Sequence, residues 1–300
     1  TTLFRSVVRG AIHAIAPGDF ALLGRALVSD DDKELGAQLG QQVRRLASEH
    51  AIAPTEALEE VTAATLDALA EKGSLDKNGL HDALRQRVGE DLMPWCKGCK
   101  SHHVAPMLWR YATIRAGARL DADRRYVRAD PGPSPAASDA VYRFLRFYGP
   151  ATPADFAEWG GIGKPHAKRL WSEVESDLAE LQVEKKVAWV AREDTAALES
   201  PPEAEGIRLL PPGDPYLQKV NRPLLTPDAE LRKRLFRPVA SPGAVLRDGR
   251  LAGLWRVRDN RGRTEITVEP LDGLTRAEID DEANRVAQLR DAEQATVLLA

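Results

Sequence analysis

One order of segments, written twice, most constrains what this chain can fold into: three helical stretches followed by a strand pair. Pro54-Thr55-Glu56 opens a helix with Leu58, Val61, Leu66 and Leu69 on one face, and Lys72-Gly73-Ser74 stops it. A second helix is predicted over 76–88 and a third over 102–116, with Val104, Leu108, Tyr111 and Ile114 on its apolar side. Residues 118–127 then alternate like a strand. After a linker rich in proline and glycine at 130–138, the order returns. Helices are expected over 139–148, 153–159 and 164–181, and a strand over 182–190. Residue identity between the two units is low, so what repeats is element order alone.

Three helices and a strand hairpin is the order of a winged helix. Upstream, 3–16 reads as a strand or hairpin remnant, followed by helices over 17–27 and 30–50. Downstream, 207–273 runs through a buried strand, a proline corner, an arginine-rich helix and a long arginine-edged hairpin. The expected class is therefore α+β, tandem winged-helix modules with a C-terminal region of strands and a hairpin. The expected division is 1–53 (remnant of a first module plus linking helices), 54–130, 131–200, and 201–300 (hairpin region with a terminal helix).

The 42 basic and 45 acidic residues leave a net charge of −3, which argues against a generic nucleic-acid binder. Their distribution argues the other way. Basic residues gather in 97–128, 219–237 and 247–263, and acidic ones in 30–34, 56–60, 173–184 and 278–282. Segregation of this kind gives either one positive face or ordinary solvated helix faces. No apolar run reaches the length of a membrane span, and no signal peptide is legible. Two cysteines fit a reducing compartment. The expected location is the cytoplasm, the expected state a monomer, and no membrane is involved.

If the helix over 102–116 enters a groove, Arg110 and Arg115 meet DNA, and Arg119, Arg124 and Arg125 reach the backbone from the wing. The alternative is a helix that only packs. Gly160-Gly161-Ile162-Gly163 is either the turn of a DNA-binding helix pair, with Lys164, His166, Lys168 and Arg169 supplying phosphate contacts, or a tight turn that needs glycine at positive φ. Arg256 and Arg258 belong to an arginine-edged hairpin suited to a minor groove, or to a strand edge protected by charge. Asp214, at a strand end among prolines, is a candidate site carboxylate or a turn cap, and Tyr216 and Gln218 on the same run are candidates to stack on or bond a base. His13 is a candidate site-lining residue or a buried core histidine.

Cys96, Cys99, His102 and His103 have the ligand types and nearly the spacing of a compact zinc site, but also fit a turn with packed thiols before a helix. No metal and no cofactor is expected. No phosphate-binding glycine loop, serine nucleophile elbow or HExxH is present in the sequence.

Arg9-Gly10-Ala11-Ile12-His13, the segment WCKGCKSHHV at 95–104, LLPPGDPYLQ at 209–218 and DGRLAGLWR at 248–256 together resemble the bacterial winged-helix DNA glycosylases of the AlkZ/YcaQ-like type. The resemblance runs from about Val8 to the C-terminus as a spread of medium-strength matches. It implies a C-shaped set of winged helices around double-stranded DNA. It also implies hydrolysis of the glycosidic bond of N7-alkylated purines, or unhooking of crosslinks, with no cofactor. In that family a Gln-x-Gln or Gln-x-Asp pair is catalytic and would fall upstream of Arg9. Gln38, Gln41 and Gln42 do not match its place, so no catalytic residue is carried over and an N-terminally truncated chain is expected. The alternative is a non-enzymatic winged-helix DNA-binding protein or regulator.

Overall fold

A proline at the first helical position and a glycine just past the last frame the longest helix, and the first unit is built on it. In the computed structural model, which describes residues 3–129, 135–183, 185–217, 222–260 and 263–300, the chain divides into two units, 1–192 and 193–300. The first begins with a hairpin, β1 (Leu3–Ser6) and β2 (Ile12–Ile15), followed by α1 (Phe20–Leu23), α2 (Asp32–Leu39) and α3 (Gln41–His50). Where one helix was expected over 30–50 there are two. Gly40 separates them at φ 81° and ψ −169°, a conformation that only glycine adopts readily. The expected helix over 17–27 is α1 flanked by two 3₁₀ turns.

Next come α4 (Pro54–Lys72), β3 (Ser74–Leu75), α5 (Lys77–Arg85), a small hairpin β4 (Trp95–Cys96) and β5 (Ser101–His102), α6 (Pro106–Arg115), β6 (Ala118–Leu120) and β7 (Tyr126–Arg128). Ala57, Leu58, Val61, Ala64, Thr65, Ala68 and Leu69 make one buried stripe along α4, against which α2, α5 and α6 pack. Asp76 caps α5 by accepting the Gly79 N–H at 2.7 Å. The N-terminal hairpin does not close a module of its own. It extends the α4–β7 unit into one five-stranded sheet ordered β2-β1-β6-β7-β3.

The second half of this unit holds α7 (Asp139–Tyr148), α8 (Pro153–Gly160), α9 (Lys164–Ser172) and the hairpin β8 (Leu178–Val183) with β9 (Lys186–Ala191). Thr152 and Asp155 form a reciprocal capping box on α8, and an Ala151–Trp189 bridge ties the chain before α8 to β9. Phe144, Phe156, Trp159 and Trp171 interlock with ring centroids 5.3–6.3 Å apart and fill this core. The expected helix over 164–181 stops nine residues early. The Glu173–Asp177 segment forms a tight turn, and β8 starts at Leu178.

The second unit has more strand than the expected hairpin. After α10 (Thr195–Glu199) and β10 (Ile207–Leu210) come α11 (Arg222–Leu225), α12 (Ala229–Leu235), β11 (Gly243–Arg247), β12 (Arg250–Asn260), β13 (Arg263–Pro270), α13 (Arg276–Gln288) and β14 (Ala295–Leu299). The sheet runs β10-β11-β12-β13-β14, antiparallel except for β14, which returns parallel to β13 by way of α13. One face (Val245, Trp255, Ile266, Val268) packs on Ile279 and Ala283 of α13, and the other (Ala244, Leu246, Leu254) on Leu235 of α12. Asp248-Gly249, at φ 51° and 75°, makes the expected tight turn between β11 and β12. The second expected turn, at Arg261-Gly262, lies outside the described residues. Among the described residues no helix is long and apolar enough to cross a membrane.

Candidate nucleic-acid interface

A helix that reads DNA must leave one face open, and α6 does not. Leu108, Trp109, Tyr111, Ala112, Thr113 and Ile114 are all buried, because α2, α4 and β1 cover it on several sides. Only Pro106 and Arg110 are exposed, with Met107 and Arg115 half-buried. Arg115 is committed to the fold. Its Nη2 donates to the Val28 and Ser29 carbonyls at 3.1 and 3.2 Å and pairs with Asp30. Arg125 likewise binds Ser74 through its hydroxyl (3.0 Å) and carbonyl (2.9 Å), tying β3 to the β6–β7 turn. Arg124 sits exposed at the tip of that turn, at φ 58°, and Arg119 is half-buried on β6.

Arg110 has a different neighbourhood. The turn over Val8–Gly10 places both Arg9 and Gly10 at left-handed φ (60° and 62°) and lays them on α6. A Cβ on Gly10 would stand 3.2 Å from Tyr111, 3.3 Å from Met107 and 3.5 Å from Arg110 Cβ. The same turn reaches the α8–α9 connection, where a Cβ on Gly161 (φ 64°) would meet Arg9 Cγ at 2.6 Å and Arg9 Cα at 3.2 Å. Arg9, exposed, therefore stands between Arg110 and the turn that leads into Lys164. Arg9 is not among the residues that the sequence singles out for DNA contact, although it opens the RGAIH segment; the signal was an arginine-glycine pair needing positive φ.

Helix α9 does keep an open face. His166, Ala167, Leu170 and Trp171 point inward, while Lys164, Lys168 and Arg169 are exposed. Arg169 is held by Glu34 (2.9 Å) and Glu173 (3.6 Å). His166 is 1 % exposed, with Nδ1 3.6 Å from Glu34, so it cannot reach a phosphate. Burial pushes its pKa below the ordinary histidine value, against the pull of Glu34, and the ring stays neutral. Glu34 sits below the ordinary carboxyl value because the Arg169 guanidinium and the Ser29 hydroxyl bond its charged form, overcoming the opposing effect of burial. His13 lies on the edge strand β2, half-buried, its Nδ1 2.9 Å from the Ala11 carbonyl.

Asp214, Tyr216, Arg256 and Arg258 belong to the second unit. Asp214 caps its own turn, Oδ1 accepting the Tyr216 N–H at 2.8 Å, and Tyr216 is 47 % exposed. Gln218 lies outside the described residues. Arg256 and Arg237 converge on the Ala240 carbonyl, each at 2.8 Å, beside a cleft of about 490 Å³ that Lys233 and Arg234 also line. There Arg234 pairs with Glu269 and Lys233 with Glu230. Arg258 is exposed on β12, opposite Glu265 of β13. Among the described residues Cys96, Cys99 and His103 come together, whereas His102 turns away and bonds the Met93 carbonyl at 2.9 Å.

The arrangement offers phosphate-binding cations around the Val8–Gly10 turn and along α9, with the part-exposed Arg169–Glu34 and Arg115–Asp30 pairs beside them. Against this geometry stand the comparisons with known proteins. The chain is 31% identical over 169 residues to an interstrand DNA cross-link repair glycosylase of Streptomyces sahachiroi, an alignment covering 53% of this chain and 44% of that protein. The aligned part thus spans less than half the length of that curated relative. In the solved structure of the Streptomyces sahachiroi DNA glycosylase AlkZ, 82% of the chain superposes on all of this one, with a TM-score of 0.71 and 20% identity. That likeness shows a shared mixed α and β fold. The sequence pattern described as DNA glycosylase AlkZ-like matches residues 1–289, and on that match the chain belongs to the AlkZ-like DNA glycosylase family.

Proposed function

We propose that this chain holds double-stranded DNA for glycosidic-bond hydrolysis, with N7-alkylated purines or crosslinked purines as the substrate class. The observation that carries the proposal is the grouping of exposed Arg9 and Arg110 with the turn leading to Lys164, three cations from segments about 50–150 residues apart. Arg110 and Lys164 belong to two stretches with winged-helix element order, 54–128 and 139–191, and Arg9 to the turn over Val8–Gly10. The contact surface is the Arg9 turn with the exposed Arg110 of α6 and the open face of α9 (Lys164, Lys168), and not the covered faces of α6.

The chemistry asks little of the protein. Alkylation at N7 places positive charge on the purine and weakens its bond to the sugar. The enzyme then has to position the lesion, orient a water and stabilise charge developing on the sugar. A polar side chain suffices for the water, and the flanking cations hold the backbone on either side of the lesion. Catalytic residues are not assigned.

A base-release assay tests this reading. A labelled duplex carrying one N7-methylguanine is incubated with the chain and then treated with alkali to cut at abasic sites. Strand cleavage that depends on the protein and on the lesion is the expected result. Tight binding without base release would leave a DNA-binding protein and remove the hydrolytic half of the proposal.

A further inference from the structure

The hairpin β4–β5 has only two residues in each strand, too few to hold a fixed shape through pairing alone. Yet its loop, Cys96-Lys97-Gly98-Cys99, brings two thiols beside an imidazole. The ligand atoms of Cys96, Cys99 and His103 all lie within 4.8 Å of one another. On a tetrahedral ion with zinc-like bond lengths such atoms sit about 3.5–3.8 Å apart, a contraction of about 1 Å.

The histidine is set up as a ligand. His103 Nδ1 bonds the Val104 carbonyl at 2.8 Å, which places the proton on Nδ1 and leaves the lone pair on Nε2. That Nε2 is buried and has no hydrogen-bond partner. A buried nitrogen with a free lone pair beside two thiols is placed to bind a cation. Behind it, the His103 ring meets His81 at 5.6 Å, His81 stacks on Trp109 at 4.8 Å, and Trp109 meets Tyr126 at 5.4 Å. An ion bound here would join the hairpin to the core between α5, α6 and β7.

We propose that Cys96 Sγ, Cys99 Sγ and His103 Nε2 bind one thiophilic divalent cation of the zinc class, which ties the β4–β5 hairpin to the core. On binding, the two thiols give up their protons to solvent, and the fourth coordination position is taken by water. His102 is excluded, because its Nδ1 bonds the Met93 carbonyl and its ring packs edge-on against Trp95. Two soft thiolates and an imidazole select zinc or cobalt over magnesium or calcium.

The test uses the full chain, reduced and freed of metal, titrated with Co(II) and then with Zn(II). One equivalent of cobalt should produce a thiolate-to-cobalt charge-transfer band and tetrahedral d–d absorption, and zinc should displace it. Cys99→Ser, at an exposed position, should lose the band while its far-ultraviolet circular dichroism stays that of the parent. His103→Asn should weaken cobalt binding by about tenfold or more. Absence of the band in the fully reduced protein would overturn the proposal. So would a band that survives in the Cys96→Ser/Cys99→Ser double variant. Neither readout depends on DNA or on base release, so the metal site stands or falls apart from the proposed function.

Discussion

Gly161→Ala probes the junction on which the candidate interface rests. Gly161 closes α8 at φ 64° and ψ 32°, in the left-handed region, where an alanine costs about 1–2 kcal/mol. Its new methyl would lie 2.6 Å from Arg9 Cγ and 3.2 Å from Arg9 Cα. The side-chain carbon can swing aside, but the backbone carbon must shift by a few tenths of an ångström, at a further cost of about 1 kcal/mol. We expect a total loss of about 2–3 kcal/mol in a unit of roughly 190 residues, which lowers its melting temperature by about 4–12 °C. The assay is differential scanning calorimetry, with Gly18→Ala as the control. A methyl group at Gly18 would meet nothing within 4 Å, and Gly18 has no positive φ, so that variant should melt like the parent. Because the strain falls on Arg9, Gly161→Ala should also weaken duplex binding below its own melting transition. A melting temperature equal to that of Gly18→Ala would refute the packing of the Arg9 turn against the α8–α9 connection.

Two further outcomes follow from the side chains packed behind the interface. Arg115→Ala strips the Val28 and Ser29 carbonyls of their donor, and with Arg115 only partly exposed it should cost about 1–3 kcal/mol in urea unfolding while leaving the salt dependence of DNA binding unchanged. His166, neutral in the fold with a pKa depressed by burial, contributes stability fully present above the unfolded histidine value of about 6.5 and lost as pH falls through its lower folded value. Unfolding free energy should therefore drop between pH 7 and 5 in the parent, and less steeply in His166→Leu, as urea titrations at the two pH values would show.

Local signals carried the helices and failed at distance. Helix α4 was legible because Pro54, the Leu58–Val61–Leu69 stripe and Gly73 all agree on its bounds. The two-residue strand β3 was not, because Ser74-Leu75 has strand character only through its pairing with Tyr126 and Val127. The expected helix from His102 began four residues too early, since His102 pairs across the β4–β5 hairpin and Pro106 opens α6. Reading Arg115 as an open side chain off the apolar face also failed, since it bonds the Val28 and Ser29 carbonyls, whereas Arg110 does stay exposed. Periodicity places residues on a helix face, but only the tertiary fold decides what covers it, and here α2 and the N-terminal hairpin do. Nothing local brings Arg9 to Gly161, about 150 residues on, so the core of the candidate interface was invisible until the chain was folded. Likewise β14 joins the second sheet through a parallel pairing that needs α13 to carry the chain back, a long-range connection with no short-range signature.

The central claim is that the Arg9 turn, Arg110 and α9 carry the DNA contacts. Its most direct test is the salt dependence of duplex affinity for the parent and for an Arg9→Ala/Arg110→Ala/Lys164→Ala variant, measured by fluorescence anisotropy over a series of salt concentrations. Each phosphate contact contributes about 0.9 to the slope of log affinity against log salt, so removing three should flatten it by about 2.7 and weaken binding on lesion and plain duplexes alike. A triple variant with the parent's slope and affinity would contradict the account and move the interface elsewhere on the chain.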